Sequence, residues 1–320
     1  MTVKLSLAEY IQDKIYEAKA KKRQIWPVNS NRASLLGHPC LRYLVYQRTH
    51  WQEKTLPDVE LQFIFDEGHL QEKAVLEALR EAGFDVIEEQ KALSWPKYQI
   101  TGKIDGKILI DGKTYPIEVK SMSPYIFDSI NILDDLKFHK YHHIRGYYIQ
   151  MNLYLLLEEK EKGFFILKNK SSGQIKVLEV ELDYDVCEQA VKKAEQVNKH
   201  VAEGTLPKRI EYQHEICGRC EFRHICLPEQ HLKETIDIKE DPELEGEIER
   251  YMELKPYADE WKHLDKALKK KLEGQTAIIG KFYVSGKWIE TTKYNIPNAV
   301  KEQYAIKYKY WKRKIEVLEE

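Results

Sequence analysis

The chain has 320 residues, of which 42% are hydrophobic and 32% charged, and its net charge is -1. That suits one large domain or two smaller ones, and it excludes any appeal to overall basicity: a nucleic-acid partner would need locally gathered charge. Residues 1–22 carry charges throughout and no run nears the roughly 20 apolar residues of a membrane helix, so neither a leader nor a span is expected. The expectation is a soluble, cytoplasmic protein.

In chain order, a helix is expected over 4–22 and a second from a Ser34 cap through Arg48. A third, over 66–83, ends at Gly83; Leu76 and Leu79 mark its inner face, and His69 lies one heptad before Leu76. Strand signals follow at 84–89, 98–105, 107–110 and 115–120, with Asp105-Gly106 and Asp111-Gly112 as turn pairs. An apolar helix over 141–158 precedes strands at 163–168 and 175–182 and a polar helix over 183–203. The first domain is taken as 1–231, with a linker at 232–245. The remainder, 246–320, is a helix to about Glu273, a hairpin over 276–290 turning at Ser285-Gly286, and a basic aromatic tail. The alternation predicts an α/β fold, a mixed sheet flanked by helices.

Glu118 and Lys120 alternate on one strand and so share a face. Asp105, from the neighbouring strand, can stand beside them. Two carboxylates gathered there are costly unless a cation sits among them, and Mg2+ or Mn2+ prefers such hard oxygen donors. The same three residues also suit a half-buried strand with a solvated charged face. Gln150 and Tyr154 lie four apart on the apolar helix, with Tyr147 on the same side.

Four of the five cysteines divide one plus three. Cys217-x-x-Cys220 and Cys226 crowd together, while Cys40 lies far upstream. A zinc ribbon offers two close pairs, whereas this distribution suits a four-cysteine iron–sulfur site. A zinc site of the three clustered cysteines with His214 or His224 stays open. Cys187 reads as an ordinary structural cysteine.

The order His69, Asp105, Glu118-x-Lys120, Gln150-x-x-x-Tyr154 resembles the motifs of RecB-like PD-(D/E)XK nucleases, among them AddB and the CRISPR-associated RecB-like exonucleases. Ile104 stands where the motif name has proline. The stretches SLLGHPCLRYLVY and GTLPKRIEYQHEICGRCEFRHIC resemble the iron–sulfur branch of that family. The resemblance implies a restriction-endonuclease-like fold. It implies that His69, Asp105, Glu118 and the Val119 carbonyl hold Mn2+ or Mg2+, that Lys120 assists a nucleophilic water, and that Gln150 and Tyr154 steady the site and the DNA backbone. It further implies a [4Fe-4S] cluster on Cys40, Cys217, Cys220 and Cys226, stapling helical elements of the nuclease domain.

Two segments suit DNA contacts. The basic stretch 137–145 (KFHKYHHIR) precedes the Gln150 helix and suits phosphates or a solvated loop. The stretch 303–314 interleaves Tyr304, Tyr308, Tyr310 and Trp311 with lysines and Arg313, which suits stacking on single-stranded nucleic acid or an amphipathic packed helix. The hairpin GKFYVSGKWIE has a faint similarity to phage-type recombination exonucleases. The expected activity is that of a metal-dependent DNA exonuclease acting on strand ends, with recombination or CRISPR-adaptation proteins as partners. A structure-selective endonuclease and a silent DNA-end-binding module are the alternatives.

Overall fold

A computed structural model of the chain describes residues 6–227, 242–279 and 281–290, with positions 297, 300, 301 and 305. Contacts divide the chain into two compact units, Met1–Glu245 and Gly246–Glu320. The first unit holds two sheets and most of the helices.

Helix α1 (Leu7–Lys22) starts from a capping box, Ser6 with Glu9. A short β1 (Asn31–Arg32) follows, and α2 (Leu41–Thr49) begins at Cys40 rather than at Ser34. Pro39 explains the late start, because a proline disfavours helical backbone in the residue before it. Gly37, which the expected helix would have included, instead meets Gly146 backbone to backbone: a Cβ there would stand 2.5 Å from Gly146 Cα.

Helix α3 (Val59–Glu81) is longer than expected and begins at Asp58. It leads into β2 (Asp85–Ile87), β3 (Ala92–Trp95), β4 (Ile100–Lys103), β5 (Gly106–Ile110) and β6 (Lys113–Met122). Strand β3 lies in a stretch that has no clear alternation in the sequence. Of the two expected turn pairs, only Asp111-Gly112 is one, with φ 48 and 74, the left-handed pair that a tight hairpin needs. At Asp105-Gly106 the chain instead passes from one sheet to another. Strands β1, β4 and β3 form a small sheet in that order.

Beyond β6 come α4 (Pro124–Ser129), α5 (Leu133–Lys137) and α6 (His142–Leu157). Then follow β7 (Lys162–Asn169), β8 (Ile175–Glu181) and α7 (Tyr184–Glu203), the last closed by Gly204 at φ 61. The main sheet has the order β2-β5-β6-β7-β8; β6 and β7 run parallel and the other pairs antiparallel. It is thus a mixed sheet flanked by helices. Alternation sorts its two faces. Ile117, Val119 and Ile166 pack with Val75 and Leu76 of α3, while Met122, Phe165 and Leu167 pack with Tyr148, Met151 and Leu155 of α6.

Residues 214–226 form a helical turn and a short helix α8 (Arg223–Cys226). The expected linker 232–245 lies outside the described residues up to 241, and α9 (Pro242–Leu272) begins before its end. In the second unit β9 (Ala277–Ile279) pairs with β10 (Phe282–Val284). Because Ile279 faces Phe282, the chain reverses there and not at Ser285-Gly286. The basic aromatic stretch 303–314 lies, but for residue 305, outside the described residues. Among the described residues no helix is long and apolar enough to cross a membrane.

Candidate active site

The site lies where the β5 ladder stops. Strand β5 pairs with β6 only as far as Gly106 opposite Ile117, so β6 runs on from Glu118 with that edge open. Asp105 stands just before β5 and fills the gap: its Oδ2 accepts the Val119 backbone N–H at 2.7 Å. A strand residue sends its N–H and C=O to the same edge, so the Val119 carbonyl faces the opening too.

Glu118 is buried, only 3% exposed, yet its Oε1 takes two hydrogen bonds, from Lys120 Nζ and from Gln150 Nε2, each at 2.7 Å. Its Oε2 is buried with no partner. Burial pushes the Glu118 carboxyl up to about 7, with Asp105 and then Glu72 adding to the rise and Lys120 opposing it. Burial likewise raises Asp105, against the pull of Lys120 and the Val119 amide. For Lys120, burial opposes the charge, but Glu118, Tyr147 and Asp105 outweigh it and hold the ammonium charged. The same ammonium lies 4.6 Å from the centre of the Tyr147 ring, within cation–π reach.

Gln150 uses one nitrogen twice, donating also to Tyr154 Oη at 2.8 Å. The Tyr154 hydroxyl takes a weaker contact from the Lys103 N–H at 3.4 Å. Burial and then Glu118 push the phenol up to about 12, so it stays a neutral hydroxyl. Gly102 makes room for its ring, because a Cβ there would collide with Tyr154 Cε1.

The structure thus brings Asp105, Glu118, Val119, Lys120, Gln150 and Tyr154 together. The His69 side chain stands apart in its exposure, at 77%, with its Nδ1 3.9 Å from Glu72 Oε2. Glu72, linked to Asp105 through Gln90, is an acidic residue that sequence reading did not single out. Its side chain is 19% exposed, and burial, then Asp105, raise its carboxyl. Helix phase explains the miss. At about 100° per residue, Glu72 lies within about 15° of the mean direction of Val75, Leu76 and Leu79, and His69 about 70° from it. Leu76 alone, the residue used to place His69, sits at one edge of that face. Among the described residues no three His, Cys, Asp or Glu side chains stand close enough, as placed, to hold a metal ion.

A second feature lies at α2. Cys40, Cys217, Cys220 and Cys226 all line one cavity of about 50 Å³ with an almost wholly apolar wall. All four are free thiols, and His214 and His224 are not among the lining residues. Burial raises Cys40, while the amides of Tyr43 and Arg42 point at its sulfur and oppose the rise. Burial pushes Cys220 up to about 11, with the Phe222 amide opposing. Four thiols around one pocket, with backbone donors aimed at sulfur, are a donor set that suits an iron–sulfur group. Phe222 is fully buried against Tyr43 and Tyr46, and Glu221 accepts from Tyr43 and Gln47, so the segment is also pinned by other contacts.

The basic stretch 137–145 runs from the end of α5 into the first turn of α6. Arg145 caps carbonyls of this stretch: its Nη1 donates to Lys140 O at 2.7 Å and also to His139 O.

No family model and no curated protein matches the chain. Solved structures with some likeness include that of SSO0001, at 17% identity and TM-score 0.41, covering 70% of this chain and 98% of that one. Another is an alkaline exonuclease, LHK-Exo from Laribacter hongkongensis, at 13% identity and TM-score 0.40, covering 60% and 93%. The complex of LHK-Exo with dAMP aligns at 14% identity and TM-score 0.38, over the same shares.

Proposed function

We propose that this chain is a metal-dependent deoxyribonuclease of the RecB-like PD-(D/E)XK type, an exonuclease acting on single-stranded or frayed DNA ends. The observation that carries the reading is the meeting of Asp105, Glu118 and Lys120 at the open edge of β6, with Glu118 Oε2 buried and unpartnered. An orphaned buried carboxylate oxygen is costly unless a cation satisfies it.

Asp105, Glu118 and the Val119 carbonyl would hold Mn2+ or Mg2+. When bound, such an ion supplies Lewis-acid polarisation of a phosphodiester and a lower pKa for water. The other roles belong to the chain. Lys120, held charged, offsets the negative charge that grows on phosphate oxygens as water attacks. Gln150 fixes the Glu118 rotamer and, through Tyr154, ties α6 to β4. The Val119 amide fixes Asp105.

The four cysteines would hold a [4Fe-4S] cluster joining the start of α2 to residues 217–226. A zinc site completed by His214 or His224 is disfavoured, because neither ring lines the cavity.

The test is digestion of end-labelled single- and double-stranded DNA and circular single-stranded DNA, with Mn2+, Mg2+ or EDTA. Linear substrates should be degraded from their ends with metal, circles should stay intact, and EDTA should stop the reaction. Asp105→Ala and Lys120→Ala should each lower the rate at least about 100-fold, the scale of losing an electrostatic or acid–base contributor. Full activity in either variant would remove this site. Cleavage of circles would make the enzyme an endonuclease with the same chemistry.

A further inference from the structure

We propose that Glu72, and not His69, is the side chain that α3 contributes to the divalent-cation site, with Gln90 as the positioning residue that holds it against Asp105. This rests on the reading of Asp105 and Glu118 as a metal site.

Three observations converge on it. The first is placement. Glu72 lies on the face of α3 that buries Val75 and Leu76 against β6, whereas the His69 ring stands largely in solvent. A ligand projecting from a packed helix face is held by the core behind it. One projecting into solvent loses side-chain entropy on binding.

The second is the bridge. Gln90 Nε2 donates to Glu72 Oε1, and the same nitrogen lies 3.4 Å from Asp105 Oδ1. One amide shared between two carboxylates draws them together. Two like charges held side by side repel unless a cation joins them. Gln90 itself is pinned. Its backbone N–H donates to Asp105 O at 3.2 Å, and its φ is 53, a left-handed conformation that disfavours side chains with a Cβ.

The third is the orphaned oxygen. Glu118 Oε2 is buried without a partner, although Lys120 and Gln150 both reach the other oxygen of the same carboxylate. Glu72, Asp105 and Glu118 sense one another's charge. Against these three carboxylates stand Lys120 within the group and, at its rim, His69 and the exposed Lys103. Carboxylates gathered around an acceptor that no protein donor reaches suit a hard, oxygen-seeking divalent cation.

The test is direct Mn2+ binding to the full-length, anaerobically purified protein without DNA, followed by the electron paramagnetic resonance of free Mn2+. Circular dichroism melts run alongside. Wild type should bind Mn2+. Glu72→Gln should weaken binding by at least about tenfold, Gln90→Ala by a smaller factor, and His69→Ala not measurably. Glu72→Asp keeps the charge on a shorter arm and should fall between Glu72→Gln and wild type, which covers the case of a poorly folded Glu72→Gln. The inference is overturned if Glu72→Gln and Glu72→Asp bind as wild type does, or if His69→Ala loses binding as Asp105→Ala does. A wild type that binds no Mn2+, or an Asp105→Ala variant that binds it normally, overturns the metal-site reading itself and this inference with it.

Discussion

Glu118 shows what one buried carboxylate can report. Its folded pKa of about 7 exceeds its ordinary value of 4.5, so the folded chain holds a proton that the unfolded chain has released between those values. A raised carboxyl contributes stability that is present below its unfolded pKa and lost as pH rises through the folded one. In EDTA, the stability of wild type relative to Glu118→Gln, read from urea melts at each pH, should therefore fall from about pH 5 to about pH 7. A difference that does not change across that range would mean that Glu118 is not the group titrating there. Gly102 offers a second residue-scale test. Gly102→Ala forces a methyl into the Tyr154 ring, at a cost of about 1–3 kcal/mol in thermal or urea unfolding. It should lower DNA cleavage as well, because the ring anchors Gln150. Most of this site was legible in the chain. The Glu118-x-Lys120 alternation and the Gln150-to-Tyr154 spacing are local, and local periodicity survives folding. The Asp105–Val119 hydrogen bond was not legible, since it depends on the β5 ladder ending at Gly106 opposite Ile117.

At the scale of elements, β5 is tied to the end of α6 by charge. Lys107 and Glu158 are paired with both side chains nearly buried, and Lys91 and Glu88 extend the group at its rim. Removing one member of a buried pair leaves the other uncompensated. Lys107→Met should cost about 3 kcal/mol, the low end for such a loss because Lys91 still reaches Glu158. Adding Glu158→Leu should recover part of it, which chemical unfolding of the single and double variants would measure. Nothing in the sequence marks Lys107 as buried; a lysine in an apolar strand reads as its solvent face. The elements themselves were readable where the hydrophobic period is clean, as in α6 and α7. They were misjudged where a proline or a long-range contact decides, as at the start of α2 and in β3.

At the scale of the whole molecule, the cysteine cavity closes a loop of the chain spanning most of the first unit. Two variants separate the proposed cluster from the packing around Phe222 as sources of cohesion. Phe222→Ala should cost about 3–5 kcal/mol by opening a cavity beside Tyr43 and Tyr46, yet leave the anaerobic protein brown. Cys220→Ala should lose the visible absorbance and the iron, and should lower the melting temperature too. A colourless wild type carrying stoichiometric zinc would replace the cluster with a zinc site. The one-plus-three cysteine spacing was legible from composition. That all four face one pocket was not, because it depends on α2 and residues 214–226 packing around Phe222.

By itself, the amino-acid sequence determined which donor groups the chain has to offer. Hard oxygen donors, an ammonium and four thiols are properties of side chains, and strand alternation already pairs Glu118 with Lys120. Tertiary structure decided which polar side chain of α3 is turned toward the sheet. His69 and Glu72 lie less than one turn apart, and both fit an amphipathic helix. The packing of Val75 and Leu76 against the sheet sets the rotation of α3, and that rotation half-buries Glu72 and leaves His69 in water.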